Sequence, residues 1–119
     1  MRILVTGAAG MIGRKLSARL AADAAIAGQP IETVHLIDVV APTPPAGARF
    51  ATLCEAIDVA APSTVAKAIA ARPDVVFHLA AVVSGEAESD FDKGYAVNLD
   101  ATRALFEAIR HERERSGGA

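Results

Sequence analysis

Arg2-Ile3-Leu4-Val5-Thr6-Gly7-Ala8-Ala9-Gly10-Met11-Ile12-Gly13 is a short apolar strand running straight into a glycine turn, with a long amphipathic helix beginning where the turn ends. That order is the context in which a Gly-x-x-Gly-x-x-Gly spacing carries chemistry. Gly7 lets the chain turn sharply, Gly10 withholds a Cβ from the place where a pyrophosphate would approach, and Gly13 lets helix and strand pack closely. The helix start then offers unpaired N–H groups and the positive end of a dipole to phosphate. Ala9, Met11 and Ile12 complete the candidate contact surface of the turn. A second apolar strand, Val34-His35-Leu36-Ile37, ends in Asp38, 25 residues beyond Gly13 and near the roughly 20 expected of an acid that accepts from adenosine ribose hydroxyls. The bland alternative, an unrelated tight turn and an ordinary strand-end aspartate, does not explain why strand, turn, helix, strand and acid fall in sequence.

The ligand implied is NAD. A 2′-phosphate would meet the charge of Asp38, and Val39-Val40 follows in place of a neutralising Arg; Arg14 and Arg49 are the cations that would have to reach the site for NADP to be preferred.

Composition bounds the rest. The chain has 119 residues, 52% of them hydrophobic and 4% aromatic, with a formal net charge of −2. One domain fits that length, which is short for a complete dehydrogenase. There is no basic stripe and little aromatic surface for nucleic acid. The sole cysteine, Cys54, cannot form an internal disulfide, which fits a reducing, cytoplasmic setting, and it reads as a small core residue. No signal peptide and no run of membrane-spanning length is visible.

Along the chain, helix is expected from Met11 to Ala25, with Ile12, Leu16 and Leu20 facing the sheet and Arg14, Lys15 and Arg19 facing water. Gly28-Gln29-Pro30 ends this unit. Ala41 to Gly47, with its prolines, reads as a surface loop near the adenine edge. A third strand is expected around Arg49 to Leu53. Asp58-Val59 follows, then a short helix opened by Pro62-Ser63, with Ser63 as N-cap, running through Ala71 with Val65 and Ile69 inward. The run Val75 to Ala81 fits a parallel strand buried on both faces. Ser84 to Asp92 is a polar acidic loop, and Val97, Ala101, Ala104, Leu105 and Ala108 mark the inward stripe of a last helix whose outer face carries Asp100, Arg103, Glu107 and Arg110. Strands alternating with helices predict an α/β architecture, a Rossmann-type doubly wound parallel sheet with its four strands in the order 3-2-1-4.

These residues resemble the extended short-chain dehydrogenase/reductases, the NAD-dependent epimerase/dehydratase group. Thr6 to Gly13 is similar to that family's TGxxGxxG fingerprint, His78-Leu79-Ala80-Ala81 to its fourth-strand motif beside the cofactor, and Val97-Asn98 with Thr102 to its active-site-side helix. The stretch Val82 to Glu88, with Asp90-Phe91-Asp92 and Gly94-Tyr95, resembles more narrowly the D-erythronate dehydrogenase subfamily, which oxidises a four-carbon sugar acid at C2 with NAD. The resemblance implies cofactor contacts at Asp58 and Val59 beside the adenine and at Leu79, Ala80, Ala81 and Asn98, a substrate contact at Ser84, and a homodimer built partly on the last helix. It also implies a sugar acid or nucleotide sugar as substrate. Asn98 retains a second reading as a simple helix-start residue.

One departure bears on mechanism. The family's general base is the Tyr of a Tyr-x-x-x-Lys pair, assisted by a Ser on the next strand. Here the only tyrosine is Tyr95, and Leu99 stands four residues on. A phenol with an ordinary pKa of about 10 is a poor base at neutral pH without a cationic neighbour. Residues 1–119 therefore read as an NAD-binding Rossmann domain that stops before the catalytic Ser, Tyr and Lys, with no catalytic residue of its own beyond a supporting role for Asn98. His35, His78 and His111 have no metal-ligand spacing with one another or with Cys54, and the acidic loop lacks the pattern of a calcium loop. His78 reads as packing at the sheet end. Three functions stay open: an NAD-dependent sugar-acid dehydrogenase, a nucleotide-sugar epimerase or dehydratase, and a non-catalytic nucleotide-binding module.

Overall fold

The computed structural model describes residues 1–59, 61–80 and 101–117. It divides into two compact units, Met1–Ile57 with Pro73–Leu79 and Asp58–Arg72 with Ala80–Ala119.

The first unit is built around β1 (Arg2–Thr6), whose apolar run does not alternate because both faces are covered: Ile3, Leu4, Val5 and Thr6 are each at most 1% exposed. Parallel partners flank it. β4 (Thr33–Asp38) pairs along one side, from Arg2 opposite Thr33 to Thr6 opposite Ile37, and β6 (Val75–His78) pairs along the other. β5 (Ala51–Ala56) lies beyond β4. The order β5-β4-β1-β6 is the expected 3-2-1-4 of the four predicted strands. Ile3, Val5, Ala8, Leu20, Ile31, Val34 and Leu36 form one buried cluster.

Helix α1 (Met11–Asp23) buries Gly13, Ser17, Leu20 and Ala21. The expected stripe is corrected at one position: Leu20 is buried and half-buried Leu16 packs against the core, but Ile12 is 65% exposed. The packed face is centred on Gly13, the residue that can come nearest its neighbour, and periodicity of large apolar side chains does not register a glycine. Buried Ser17 is accommodated because its hydroxyl donates to the Gly13 carbonyl at 2.8 Å. The helix stops short of Ala25, since Ala24 takes a left-handed φ of 55°. A small hairpin absent from the sequence reading follows, β2 (Ala25–Ile26) against β3 (Gln29–Pro30). Its turn residues Ala27 and Gly28 both have positive φ, as a two-residue hairpin demands.

One loop is more buried than expected, and two other boundaries move. Residues 41–47 form no helix or strand, yet Pro42 is buried, so the loop is only partly a surface feature. β5 begins at Ala51 instead of Arg49, because its register is set by β4: Ala51 lies opposite Thr33 and Ala56 opposite Asp38. β6 ends at His78, three residues before Ala81, and its residues are half-buried; it is the outer strand of the described sheet on that side.

In the second unit α2 (Pro62–Ala70) packs against α3 (Ala101–Arg115). The N-cap is Ala61, not Ser63, because Pro62 occupies the first helical position, where its fixed φ suits the helix and its missing N–H costs nothing. Val65, Ala68 and Ile69 are buried on α2 and Leu105 on α3, with Ala104 and Ala108 half-buried. Arg103, Glu107 and Arg110 face water as expected, and the Arg110 guanidinium holds the Glu107 carboxyl below its usual range. Phe106, 65% exposed, departs from that polar face. Val97 and Asp100 lie outside the described residues.

At the end of β1 the Thr6 hydroxyl and His78 Nδ1 stand 2.7 Å apart, linking β1 to β6. His78 thus packs at the sheet end, and burial pushes its pKa below the ordinary imidazole value. Folding therefore penalises the protonated ring, and the unfolded chain binds that proton more readily. Stability should fall as the pH drops below about 6.5, the ordinary imidazole pKa, and on through the lower folded value. Thermal melts across this window should show that dependence in the wild type and a flatter profile in His78→Asn; identical profiles would exclude His78 as the cause.

The glycines give a second prediction. A Cβ on Gly13 would lie 2.5 Å from the Gly7 carbonyl oxygen and 2.7 Å from Ala8 Cα, both backbone atoms. Gly13→Ala gains about 1 kcal/mol of helix propensity but must displace the turn, and overpacking of this kind costs about 1–3 kcal/mol or more. At Gly10 a Cβ meets only the Gly7 oxygen, at 3.4 Å. Denaturant titration should find Gly13→Ala clearly destabilised and Gly10→Ala within about 1 kcal/mol of wild type.

Candidate functional site

The turn between β1 and α1 is held by its own backbone. Gly7 has a φ of +69°, a left-handed conformation suited to glycine, and its carbonyl accepts from the Gly10 N–H at 3.2 Å. The Ala8 N–H donates to the Ile37 carbonyl at 3.1 Å, which lays the turn across the end of β4. One residue on, the Ala9 N–H donates to Asp38 Oδ2 at 2.9 Å. Asp38 Oδ1 accepts from the Val39 N–H at 2.7 Å, and the Asp38 carbonyl accepts from Ile57 N–H at 2.8 Å. The structure thus brings Gly7, Ala9, Gly10, Met11, Ile12, Gly13 and Asp38 to one end of the parallel sheet, the end at which α/β sheets bind their ligands.

Gly10 is the N-cap of α1, so no side chain caps the helix, and its first turn carries no acidic residue. The donors of that first turn are left to a ligand or to water. Met11 and Ile12 are about two-thirds exposed beside it. Those features suit the pyrophosphate of a dinucleotide: uncapped amides and no Cβ at Gly10, with the Asp38 carboxylate at the end of β4 bonded to the turn. Arg14 and Arg49 are exposed, as are Val39 and Val40.

Other predicted site residues fall in different places. Leu79, just past β6, donates its N–H to the Thr6 carbonyl at 3.1 Å, so the strand-four segment leaves the sheet beside the start of the glycine turn. In the second unit the Asp58 carbonyl accepts from the Ala61 N–H at 2.9 Å and the Thr64 hydroxyl at 3.2 Å, Val59 is buried and Ala80 is half-buried. Ala81, Ser84, Tyr95 and Asn98 lie outside the described residues. The Thr6–His78 pair escaped the sequence reading, although Thr6 opens the fingerprint and His78 opens the strand-four motif.

Cys54 and His35 lie within the sheet, away from the turn's amides. Cys54 is half-buried against the core, and burial pushes its thiol up, which disfavours the thiolate. His35 Nε2 pairs with Glu55 Oε1 at 2.7 Å across β4 and β5. Among the described residues no group of His, Cys, Asp and Glu converges as a metal site, and no helix is long and apolar enough to cross a membrane.

Comparison with known proteins agrees with this geometry. Residues 3–116 match the model of the NAD dependent epimerase/dehydratase family. The D-erythronate dehydrogenase of Cupriavidus necator is 45% identical over 114 residues, 92% of this chain and 35% of that protein, and that of Haemophilus influenzae is 36% identical. The chain spans about a third of the length of these relatives. A nucleoside-diphosphate-sugar epimerase from Agrobacterium tumefaciens superposes with a TM-score of 0.95 at 55% identity, over 98% of this chain and 34% of that one. A uronate dehydrogenase from the same organism, solved with NAD, has a TM-score of 0.71 at 32% identity over 92% of this chain and 36% of that one. The glycine turn, the parallel sheet order and a family match over nearly all its residues agree, and the chain belongs to the NAD dependent epimerase/dehydratase family.

Proposed function

We propose that residues 1–119 are the NAD-binding part of a sugar-acid dehydrogenase that acts on D-erythronate or a close analogue. The observation that carries the cofactor half of this reading is the uncapped start of α1 beside a carboxylate at the end of β4. Bound NAD would take a hydride from the carbon bearing the substrate hydroxyl. This chain's part is to hold it: amides of the α1 start toward the pyrophosphate, Gly10 leaving room for it, and Asp38 accepting from the adenosine ribose. Further contacts at Asp58, Val59, Leu79, Ala80, Ala81 and Asn98, and a substrate contact at Ser84, rest on family resemblance. So does the homodimer, whereas the cytoplasmic setting rests on the single cysteine, which fits a reducing compartment.

The similarity to two D-erythronate dehydrogenases supports the substrate class. A second reading, a nucleotide-sugar epimerase or dehydratase, is favoured by the 55% identity to a structure named as such an epimerase. Both need a proton-transferring group. No Tyr-x-x-x-Lys spacing occurs in the 119 residues, so the third reading, a non-catalytic nucleotide-binding module, describes what they do by themselves.

Calorimetric titration tests the cofactor. NAD should bind at least about tenfold more tightly than NADP, a difference of about 1.4 kcal/mol, because a 2′-phosphate would be brought against Asp38. Equal or tighter binding of NADP would sink the preference. Gly10→Ala should weaken NAD binding at nearly unchanged stability, and an unaltered dissociation constant would mean that the cofactor does not approach Gly10.

Turnover separates the chemistry from the binding. The 119-residue chain, incubated with D-erythronate and NAD, should produce no NADH. Measurable production would show that a base other than the family's tyrosine operates here.

A further inference from the structure

We propose that Asp38 is also the positioning residue that holds the phosphate-binding turn in its ligand-ready shape, so that it governs affinity for the phosphates as well as the ribose. The proposal rests on reading this turn as the nucleotide site. Two consecutive amides of the turn are fastened to the end of β4: Ala8 N–H to the Ile37 carbonyl at 3.1 Å and Ala9 N–H to Asp38 Oδ2 at 2.9 Å. The first is ordinary backbone pairing. The second depends entirely on the identity of residue 38.

The carboxylate is itself aimed by the backbone. Oδ1 accepts from the Val39 N–H at 2.7 Å, which turns Oδ2 toward Ala9. Each carboxylate oxygen has two acceptor positions, and these bonds use one on each. One acceptor position on each oxygen remains for a ribose hydroxyl, so holding the turn and binding the ribose do not compete. Only an ionised carboxylate serves both amides. An Asn at this position would have one acceptor oxygen and one NH₂ group, and in either orientation the NH₂ would face an N–H.

The consequence concerns how cofactor choice is built. Removing Asp38 takes away the charge that repels a 2′-phosphate, but it also releases Ala9 and spreads the turn over more conformations. Binding to a turn that is only fractionally in the competent shape is weakened by that fraction. Asp38→Ala should therefore narrow the gap between NAD and NADP by losing NAD, without NADP gaining.

Three nucleotides and one amide test this. Affinities of wild type, Asp38→Ala and Asp38→Asn for NADP, ADP and 2′,3′-dideoxy-ADP are measured by calorimetry, and hydrogen exchange at the Ala9 amide by NMR. Dideoxy-ADP offers Asp38 no hydroxyl, and loss of a nearby negative charge would by itself tighten its binding. Both variants should nevertheless bind it at least fivefold more weakly than wild type, NADP should not bind more tightly, and exchange at Ala9 should quicken at least tenfold. The near-isosteric Asn variant guards against a general loss of fold. Dideoxy-ADP binding that is unchanged or tighter in the variants, or Ala9 exchange that stays at the wild-type rate, would overturn the proposal. If wild type binds none of these nucleotides while Ala9 exchange still quickens in both variants, the fastening of the turn stands and the NAD reading fails.

Discussion

The start of α1 is pressed against the turn that feeds it, and Gly13 makes that approach possible. With a Cβ there facing backbone at 2.5 Å, any other residue would push the helix away from Gly7 and Ala8. Because Gly13 lies on the buried face, the closeness also sets which side of α1 meets the sheet, bringing Ser17, Leu20 and Ala21 inward and leaving Met11 and Ile12 at the surface. The turn is held from the other side by β4, through Ile37 and Asp38. Helix, turn and second strand are thus three parts of one joint. The amides that would meet phosphate are left uncapped because the N-cap is Gly10, which has no side chain to offer them.

Much of this was legible in the residues. β1 and β4 read as strands because each is a short apolar run, one leading into the glycine turn and one ending in Asp38, and the strand order followed from alternation with helices. The strand read as buried on both faces, Val75 to Ala81, is instead the half-buried outer strand β6 of the described sheet. The glycine spacing located the turn, and Asp38 was found from its distance along the chain. Ile12 was misplaced for a physical reason: apolar periodicity weighs side-chain size, whereas the closest contact on α1 is made by a residue with no side chain. The Ala25–Pro30 hairpin escaped because Ala24 and Ala27 adopt left-handed φ at a cost of about 1–2 kcal/mol each, which no local propensity foretells. β5 starts two residues and ends three residues later than expected because its ends follow β4, a constraint imposed by pairing and invisible in residues 49–56.

The candidate site divides in the same way. What depends on residue type at a fixed spacing, the glycines and the acid, was visible. What depends on two distant segments meeting was not: Thr6 with His78, 72 residues apart, and Ala9 with Asp38, 29 apart. Both join a turn residue or its neighbour to the end of an adjacent strand.

A phosphate-binding turn fastened by an acid from the next strand links two properties usually treated as separate, the shape of the phosphate site and the choice between NAD and NADP. If the turn were rigid without help, residue 38 could vary freely with the cofactor. Here, once Ala9 is released, the turn stays tied to β4 through the Ala8 amide alone, with Gly7 and Gly10 on either side, the residues of greatest backbone freedom. A chain that exchanged Asp38 to admit a 2′-phosphate would need a second change, one that restores an acceptor to the Ala9 N–H. If Asp38 serves both roles, cofactor choice in this architecture is a property of the joint between β1, α1 and β4.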